Sequence, residues 1–522
     1  MGMDAYHSAR PGGAQHEEAI MAVAMRGDGA LASVGGDALV VTVFSGELGS
    51  AATQIDDSLG GALRAMVASG EVRGRFGEVT VVPAATGVAA TRIVLLGLGD
   101  RRVLDSYRLH NAYTLVGRQL RKRRMPRVVL AADTSLVGGP ADDLAALIRA
   151  MVTGTLLANF EAGLHKKNGD RAPLIDEVVV TGLGDAAVDS VDAALADAVL
   201  LADSTLLVQR WTSQPSNAMT PTLLAASVRE LCSGAALTVE VMDRTQLEAS
   251  GAGALLGIAK GSDEPPAMIV VTYRGAPDDD RVLALVGKGI TFDAGGISIK
   301  PSLHMEVMKS DMGGGAAVLA AVHAIAALEV PCNVISIVPA TENMPSGHAL
   351  KPGDVVTAID GTTIEVVNTD AEGRVVLADG LGLARQKGAT HIVDVATLTG
   401  AAIVALGHVS AGLMTNDATL SELVQRGARA AGDRFAELPM HPEYDVCLHS
   451  DVADVVNWGG RQAGTISAGV FIRAFAGGLP WVHLDIAGTS WNDQGNLKEV
   501  PDGPSGAPVR TLVWLARFFA GE

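Results

Sequence analysis

Three charged residues alternate in the segment VVNTDAEGRVVLADG, residues 366–380, where Asp370, Glu372 and Arg374 lie among small and apolar neighbours. Two carboxylates beside a guanidinium could take part in acid–base or metal chemistry. A half-buried strand with its charged face in water shows the same period of two, and helix capping could explain part of the polarity. The flanks favour a site. TTIEVVN has the pattern of a buried strand and RVVLADGLGLARQ that of a helix, and α/β proteins keep their sites at such junctions.

A second charged segment, KGITFDAGGISIKPSLHMEVMKSDMGGGAA, follows the predicted strand RVLALVG. It supplies Lys288, Asp293, Lys300 and Asp311, with six glycines between positions 289 and 315 that allow tight turns. The segment has neither the G-x-x-x-x-G-K-[ST] order nor G-x-G-x-x-G, which argues against a phosphate-binding loop. Each charged residue alone could be a turn residue, a strand-end charge or a helix cap.

The two segments together place three aspartates, one glutamate and two lysines on strand ends and glycine loops. Carboxylates gathered without compensation repel, so such a cluster implies either shared protons or bound divalent cations. Hydrolases with paired metals use bridging carboxylates to hold the ions, and the ions to acidify a shared water. The sequence contains no H-E-x-x-H, which excludes a zincin pattern, and no G-x-S-x-G, which leaves a serine hydrolase without support.

The composition is that of a globular protein. Its 522 residues are 48% hydrophobic and 19% charged, enough for two or three domain cores. A net charge of −18 opposes nonspecific binding to phosphate backbones, so a nucleic-acid partner is not expected. Three cysteines without C-x-x-C spacing fit a reducing cytosol. The first twenty residues lack an export-signal pattern and no apolar run is long enough to span a membrane, so we expect a cytoplasmic protein without a membrane partner.

Short β-branched runs alternate with helical patterns along the chain, which predicts an α/β fold with parallel strands. The first half contains the predicted strands 38–44, 92–99, 127–133 and 177–184, and the predicted helices 105–123 and 141–159. The second half contains the predicted strands 236–243, 267–275, 282–289, 333–340, 391–400 and 481–488.

A long Ala-rich helix over 186–211 is followed by TSQPSNAMTP, whose proline and asparagine content ends it. We therefore predict an N-terminal α/β domain over 1–185, a linking helix over 186–211 and a second α/β domain over 212–522 that carries both charged segments. The second domain is expected to have a central mixed sheet flanked by helices.

The two charged segments resemble those of the leucyl aminopeptidases, a family of cytosolic two-metal exopeptidases. NTDAEGR (368–374) is similar to that family's characteristic heptapeptide, and VGKGITFDAGGISIKP with MKSDMGGGAA is similar to its other metal-binding block. The similarity extends over 200–522, whereas 1–190 match only in length and α/β character. Val375 stands where leucine is usual and Ala294 where serine is common, but no charged position of the pattern is missing.

The resemblance implies five ligands for two divalent ions, Mn²⁺ or Zn²⁺, namely Lys288, Asp293, Asp311, Asp370 and Glu372. Asp293 and Glu372 would bridge both ions, and Lys288 would ligate as a neutral amine. The resemblance also implies catalytic roles for Lys300, which would polarise the peptide carbonyl, and for Arg374, which would hold a bicarbonate acting as general base. Without the resemblance, a structural salt bridge to Asp370 or Glu372 is the preferred role for Arg374.

The resemblance further implies a substrate side-chain pocket that suits leucine or another medium apolar residue, formed by Met308, Thr397, Gly400 and Ala487. For Met308 and Ala487, ordinary core packing explains the residue types equally well. The family implies release of N-terminal residues from peptides, with the free amine meeting a metal and Asp311, and assembly as a homohexamer. Two alternatives remain: a DNA-binding regulatory role, which the net charge opposes, and a catalytically silent homologue, which the complete set of charged residues opposes.

Overall fold

The computed structural model describes residues 22–84, 86–161, 165–167, 171–493, 497 and 502–521. They form two α/β units, each built on one large mixed sheet, and one long helix joins them. The prediction of two α/β units with helix-flanked sheets is therefore confirmed. The expected lack of an export signal and the start of the first predicted domain both concern 1–21, which lie outside the described residues.

The N-terminal unit has a mixed sheet that is mostly parallel. Its elements are β1 (Val23–Arg26), β2 (Ala38–Phe44), β3 (Glu47–Leu48), α1 (Ser50–Ser58), α2 (Ala62–Ser69), β4 (Val79–Pro83), β5 (Arg92–Gly99), α3 (Ser106–Lys122), β6 (Arg127–Ala131), α4 (Leu144–Leu157) and β7 (Glu177–Thr181). The strand order is β1-β7-β6-β2-β5-β4, with β3 beside β2. Every pairing from β1 to β5 along this order is parallel, and β4 pairs antiparallel with β5.

The strand β2 is a continuous apolar run because helices cover both faces of this sheet. All seven of its residues, ALVVTVF, are buried. Successive side chains point to opposite faces, so Val40 packs with α3 and α4, while Val41 packs with α1 and α2.

The helix α5 (Val188–Ser213) joins the two units and lies within two residues of the predicted helix 186–211 at each end. Asp197 on this helix accepts hydrogen bonds from Nη1 and Nη2 of Arg517, each at 2.8 Å, and so ties α5 to the C-terminal part of the chain. Pro215 follows the helix and cannot continue it, because proline lacks the N–H that the helical ladder needs. The domain limits at 185 and 211 stay predictions.

The second unit contains a larger mixed sheet. Its elements are α6 (Pro221–Leu231), β8 (Leu237–Met242), α7 (Arg244–Ser250), α8 (Gly253–Ala259), β9 (Ala267–Arg274), β10 (Val282–Gly287), β11 (Gly289–Asp293), α9 (Gly313–Ala327), β12 (Asn333–Asn343), β13 (Asp354–Thr357), β14 (Thr363–Val366), α10 (Glu372–Gln386), β15 (His391–Ala396), α11 (Gly400–Leu406), β16 (Ala411–Thr415), α12 (Ala418–Ala431), β17 (Phe435–Glu437), β18 (Val455–Val456), α13 (Gly464–Phe475), β19 (Trp481–Asp485), β20 (Trp491–Asn492), β21 (Gly503–Pro504) and α14 (Val509–Ala520).

The strand order of the larger sheet is β17-β16-β19-β15-β10-β12-β9-β8, with β11 beside β12. The inner strands β12, β10, β15 and β19 are mutually parallel, whereas β16, β9 and β8 pair antiparallel with their inner neighbours. The six strands predicted in this half are β8, β9, β10, β12, β15 and β19. The carboxyl ends of parallel strands lie at one edge of a sheet, which is where open α/β sheets bind ligands.

The helix α9 is a buried core helix that starts unusually close to the sheet. A Cβ on Gly314 would meet the carbonyl oxygen of Val395 at 2.0 Å, so only glycine allows this approach to β15. Among the described residues, Met305–Ala327 is the one helical stretch long and apolar enough to cross a membrane, and 89% of its most apolar window is buried inside the protein. Burial accounts for its apolar composition, and Asp311 lies just before α9 at the edge of the sheet.

Candidate metal centre

Lys288 directly follows β10, and its side chain contacts two carboxylates. Its Nζ lies 2.8 Å from Asp311 Oδ2 and 2.7 Å from Glu372 Oε1, and it donates a 3.2 Å hydrogen bond to the carbonyl oxygen of Thr397. All three charged side chains are buried. The glycine after Glu372 is required here, because a Cβ on Gly373 would meet the Lys288 Nζ at 2.8 Å.

Lys300 makes the corresponding contacts with the other two carboxylates. Its Nζ lies 2.7 Å from Asp293 Oδ2 and 2.6 Å from Asp370 Oδ1. The other oxygen of Asp293, Oδ1, accepts hydrogen bonds from the N–H of Gly295 and from Nδ2 of Asn343, each at 2.8 Å. Asp293 is therefore anchored through Oδ1 and presents Oδ2 to the site.

Three carboxylates lie close enough to hold one metal ion. One ligand atom from each of Asp293, Asp370 and Glu372 lies within 4.8 Å of the other two. Asp311 joins the same cluster through Lys288. The structure thus brings together the two lysines and four carboxylates on which the sequence analysis relied.

The segment from Asp370 to Arg374 is a strand-to-helix junction, as its flanks indicated. Asp370 lies in a turn, Glu372 is the first residue of α10 and Arg374 is the third. The sequence alternation therefore does not aim all three side chains at one place, because residues two apart in a helix point roughly 200° apart. The period of two is therefore not that of a half-buried strand, which the sequence pattern had left open.

Arg374 makes no salt bridge to Asp370 or Glu372. The side chain is buried, and its Nη1 donates a 3.0 Å hydrogen bond to the carbonyl oxygen of Asn457. Its Nε is buried and has no hydrogen-bond partner among the described residues. The structure therefore offers no support for a salt-bridge role. The buried Nε–H is left available to bind an anion.

Burial and crowding shift the pKa values of these groups. Burial is the larger cause for Glu372, whose pKa rises to about 8, and the charges of Asp293 and Asp311 add to the shift. Burial also raises the pKa of Asp311 to about 6. Burial alone would lower the pKa values of Lys288 and Lys300, but the neighbouring carboxylates outweigh it and raise both. Both lysines are therefore charged in the metal-free protein.

The donor set fits divalent cations. Glu372 Oε2, Asp311 Oδ2 and Asp370 Oδ1 are buried and make no hydrogen bond among the described residues, although the last two lie close to a lysine ammonium. Four carboxylates against two lysines leave an excess of negative charge that cations would neutralise. Oxygen donors without a thiolate suit hard or borderline ions such as Mn²⁺ and Zn²⁺.

Two of the predicted substrate-pocket residues contact Asp311. Thr397 Oγ1 donates a 2.6 Å hydrogen bond to Asp311 Oδ1. The carbonyl oxygen of Met308 accepts one from the N–H of Asp311 at 3.2 Å. Met308 and Thr397 therefore lie beside the metal cluster.

The other two pocket residues are connected through Asp485, the last residue of β19. Asp485 Oδ1 accepts hydrogen bonds from the N–H of Leu398 and of Ala487, each at 3.2 Å. These bonds connect the loop before Gly400 with the segment that contains Ala487. Gly400 begins α11, and apart from its chain neighbours no heavy atom of the described residues lies within 4 Å of a Cβ built on it. The space beside Gly400 is thus open.

The sequence analysis missed three buried residues that connect the charged segments, namely Asn343, Thr369 and Asp485. Thr369 Oγ1 donates to the carbonyl oxygen of Gly295 at 2.7 Å and accepts from the N–H of Ser298 at 2.8 Å. Asn343 Nδ2 donates to the carbonyl oxygen of Thr369 at 3.0 Å. A signal was present in the sequence, because Asn343 and Asp485 are polar residues at the last positions of the predominantly apolar strands β12 and β19.

Comparison with known proteins places both units in one family. The catalytic-domain profile of the cytosol aminopeptidase family matches residues 206–513, and the profile of that family's N-terminal domain matches residues 40–168. A "Probable cytosol aminopeptidase" of Solibacter usitatus is 42% identical over 487 residues, which covers 93% of this chain and 97% of that protein. One of Alkaliphilus oremlandii is 39% identical over 484 residues, which covers 92% and 96%.

Solved structures agree with the sequence matches. A mutant of tomato leucine aminopeptidase superposes with a TM-score of 0.84 at 30% identity and covers 98% of this chain and 99% of its own. The bottromycin maturation enzyme BotP in complex with Mn gives a TM-score of 0.78 at 35% identity and covers 93% of this chain and 100% of its own. Since both domain profiles match in chain order and the relatives span almost the whole length, the chain belongs to the cytosol aminopeptidase family and is a metal-dependent aminopeptidase.

Proposed function

We propose that this aminopeptidase releases N-terminal leucine and other medium-sized apolar residues from peptides, using two divalent ions and a water that they activate. The carboxylate cluster carries the proposal, because ligand atoms of Asp293, Asp370 and Glu372 lie within 4.8 Å of one another beside two charged lysines. The resemblance of both charged segments to the leucyl aminopeptidases supports two ions rather than one.

The residues that would hold the ions are Lys288, Asp293, Asp311, Asp370 and Glu372. When bound, the ions would make a shared water more acidic and polarise the scissile carbonyl. Asp293 is suited to bridging because Oδ1 is already anchored by two donors and Oδ2 faces the site. Glu372 is suited to the same role because Oε2 is buried and none of the described residues donates a hydrogen bond to it. Lys288 would act as a neutral ligand, so it would have to release the proton that the carboxylates hold on it.

Lys300 would bind and polarise the carbonyl oxygen of the scissile bond. Its side chain is 21% exposed, whereas that of Lys288 is 3% exposed, so Lys300 approaches the cluster from the side that a peptide can reach. Arg374 would hold bicarbonate through its buried Nε, which makes no hydrogen bond within the described part of the chain. A bicarbonate held there would take the proton of the attacking water as a general base.

Exopeptidase action and apolar preference would follow from the surroundings of Asp311. A free amino terminus would bind near Asp311, whereas an internal residue has no amine to place there. The side chain of the terminal residue would lie among Met308, Thr397, Gly400 and Ala487, where the open space beside Gly400 gives it room.

We propose Mn²⁺ or Zn²⁺ as the bound ions, and the similar structure of BotP in complex with Mn supports the first. The similarity to probable cytosol aminopeptidases supports a cytosolic location. A homohexamer is proposed from the resemblance, with peptides as substrates and with neither membrane nor nucleic acid as a partner.

The proposal is tested by stripping the protein of metal and assaying a panel of aminoacyl amides with zinc, manganese, magnesium or cobalt added back. We expect no hydrolysis without metal, and fastest hydrolysis of leucine and methionine amides after addition of manganese or zinc. Glu372→Ala serves as the inactive control. Hydrolysis of aspartyl or lysyl amides faster than leucyl amide would contradict the proposed specificity, and full activity of the stripped protein would contradict the metal mechanism.

A further inference from the structure

Asn457 is a fully buried residue that follows β18. Its side chain makes hydrogen bonds to the backbone of a single turn, residues 367–371. Its Oδ1 accepts hydrogen bonds from the N–H of Val367 at 3.0 Å and of Asn368 at 3.4 Å. Its Nδ2 donates to the carbonyl oxygens of Asn368 at 2.7 Å and Ala371 at 3.2 Å. An asparagine amide has two donor hydrogens and an acceptor oxygen, so this turn occupies its whole hydrogen-bonding capacity.

The turn that Asn457 holds is the one that carries two predicted metal ligands. Asp370 lies between the backbone positions that the amide contacts, and Glu372 follows the last of them directly. Asn457 is itself fixed by a separate small sheet of β13, β14 and β18, in which β18 runs parallel to β14. Its N–H donates to the carbonyl oxygen of Glu365 in β14 at 2.9 Å. The position of both carboxylates therefore depends on a residue more than eighty positions later in the chain.

The same residue also contacts Arg374. Its backbone carbonyl oxygen accepts from Arg374 Nη1 at 3.0 Å, which is the one hydrogen bond that the described residues provide to this guanidinium. A displacement of Asn457 would consequently move the Asp370 turn and turn the Arg374 side chain at the same time.

We propose that Asn457 is a positioning residue that sets the geometry of the metal centre and the direction of Arg374. This inference rests on the proposed two-metal function. Because the amide fixes the backbone on both sides of Asp370, the carboxylates lose less conformational freedom when they bind an ion. Residues that orient metal ligands in this way typically change metal affinity ten- to a hundredfold when they are removed.

Asn333, in the larger sheet of the same unit, is a matched control. It is also fully buried, and its Nδ2 donates to the carbonyl oxygens of Ala276 and Asp279, each at 2.7 Å. It begins β12, whereas Asn343 ends that strand beside Asp293. Asn333 therefore makes similar backbone contacts at the edge of the sheet opposite to the metal centre, and its loss should cost stability without changing the centre.

Hydrogen exchange on the metal-free protein provides the first measurement. In Asn457→Ala we expect the amides of 367–371 to exchange faster than in the parent, and in Asn333→Ala we expect them to be unchanged. The second measurement is a titration of each folded, metal-free variant with Mn²⁺. Asn457→Ala should bind the ion roughly ten- to a hundredfold more weakly than the parent, and Asn333→Ala should match the parent. If Asn457→Ala does not fold, Asn457→Ser takes its place in both measurements.

Equal Mn²⁺ affinities for the two asparagine variants, or unchanged exchange at 367–371 in Asn457→Ala, would overturn the positioning role. A parent that binds Mn²⁺ tightly and cleaves no aminoacyl amide would contradict the proposed function alone, because the affinity comparison would still stand. A parent that binds no divalent ion would overturn both.

Discussion

Lys288 and Lys300 divide the four carboxylates of the site into two pairs. Lys288 lies between Asp311 and Glu372, and Lys300 lies between Asp293 and Asp370. Each ammonium thus supplies the positive charge that its pair would otherwise obtain from a cation. Substitution of one lysine removes the positive charge from one pair of carboxylates only. The roles of the two lysines can therefore be separated by experiment.

Metal binding should strengthen as the pH rises from 6 to about 8. The raised pKa of Glu372, about 8, means that this carboxyl group is protonated in the metal-free protein below that pH and must lose its proton to ligate. Calorimetric titration with Mn²⁺ in buffers of different ionisation enthalpy would show proton release on binding that declines above pH 8. Equal affinity at pH 6 and pH 8 would contradict the assignment of Glu372 as a ligand.

Substitution of Lys300 should reduce turnover and leave the ions in place. Removing a charge that stabilises the developing oxyanion typically costs a hundred- to a thousandfold in kcat, so Lys300→Ala should lose roughly that much at full metal occupancy. Elemental analysis and steady-state kinetics are the measurements. Lys351→Ala, which removes an exposed ion pair with Asp354, is the control. Loss of bound metal in Lys300→Ala, with activity restored by excess metal, would instead make Lys300 a part of the metal-binding structure.

Among the elements of the fold, the strand ends and the glycine loops position the charged side chains of the site. Strands β10, β12, β15 and β19 could be predicted from their apolar patterns, and so could the two charged segments, which follow β10 and β14. The order of the strands could not be predicted, because β10 lies between β12 and β15 through crossovers that no local pattern records.

The junction at Asp370 shows where local patterns fail. A period of two is compatible with a strand, a turn or a helix start over such a short segment, and contacts from residues such as Ser298, Asn343 and Asn457 determine the conformation. Those residues are distant in sequence from the junction. Hydrogen bonds of this kind depend on tertiary structure, so the sequence predicted the charged groups and not their supports.

Asp133 gives a prediction for the N-terminal unit. It follows β6 and accepts hydrogen bonds at 2.6 Å from the hydroxyls of Thr42, Ser50 and Ser135, which joins β2, α1 and the end of β6. Asp133→Ala would leave these donors without their charged partner, so we expect a loss of roughly 2–3 kcal/mol in the free energy of unfolding at pH 7. Chemical denaturation is the measurement, with the exposed Asp142→Ala as control.

The stabilisation from Asp133 should depend on pH. Burial alone would raise its pKa, but the hydrogen bonds from Ser135, Ser50 and Thr42 outweigh burial and lower the pKa. A lowered pKa in the folded state means that the stabilisation is fully present above the ordinary aspartate pKa of about 4 and is lost as the pH falls further. The difference between parent and Asp133→Ala should therefore shrink below pH 4, and a difference that grows there would contradict this account.

In the whole molecule, α5 joins the two units and is tied to the second one by the pair of Asp197 with Arg517. The ion pair of Asp105 with Arg434 connects the two units directly. Two α/β units could be predicted from the sequence, because hydrophobic periodicity and β-branched runs indicate the helices and strands within each unit. The sequence carried no information on how the units pack, since charges such as Arg517 look like ordinary surface residues until their partners are known.

The assembled state provides a further prediction. If the chain forms the homohexamer that the resemblance implies, six chains of 53.5 kDa should give a mass of about 320 kDa by light scattering after size exclusion. The mass should not change on removal of metal if the interfaces lie away from the carboxylate cluster. A mass of one chain at micromolar concentration would contradict hexamer formation and would leave the metal chemistry unaffected.

We propose that a metal-bound site at the carboxyl edge of the larger sheet cleaves only peptides with a free amino terminus. The most direct measurement compares leucyl amide with N-acetyl-leucyl amide, using protein stripped of metal and the same protein after Mn²⁺ is restored. We predict hydrolysis of the free substrate alone and only with metal, because the amine has to bind near Asp311 and the ions have to activate the water. Equal turnover of the acetylated and free substrates, or turnover that does not change when metal is removed, would contradict the account.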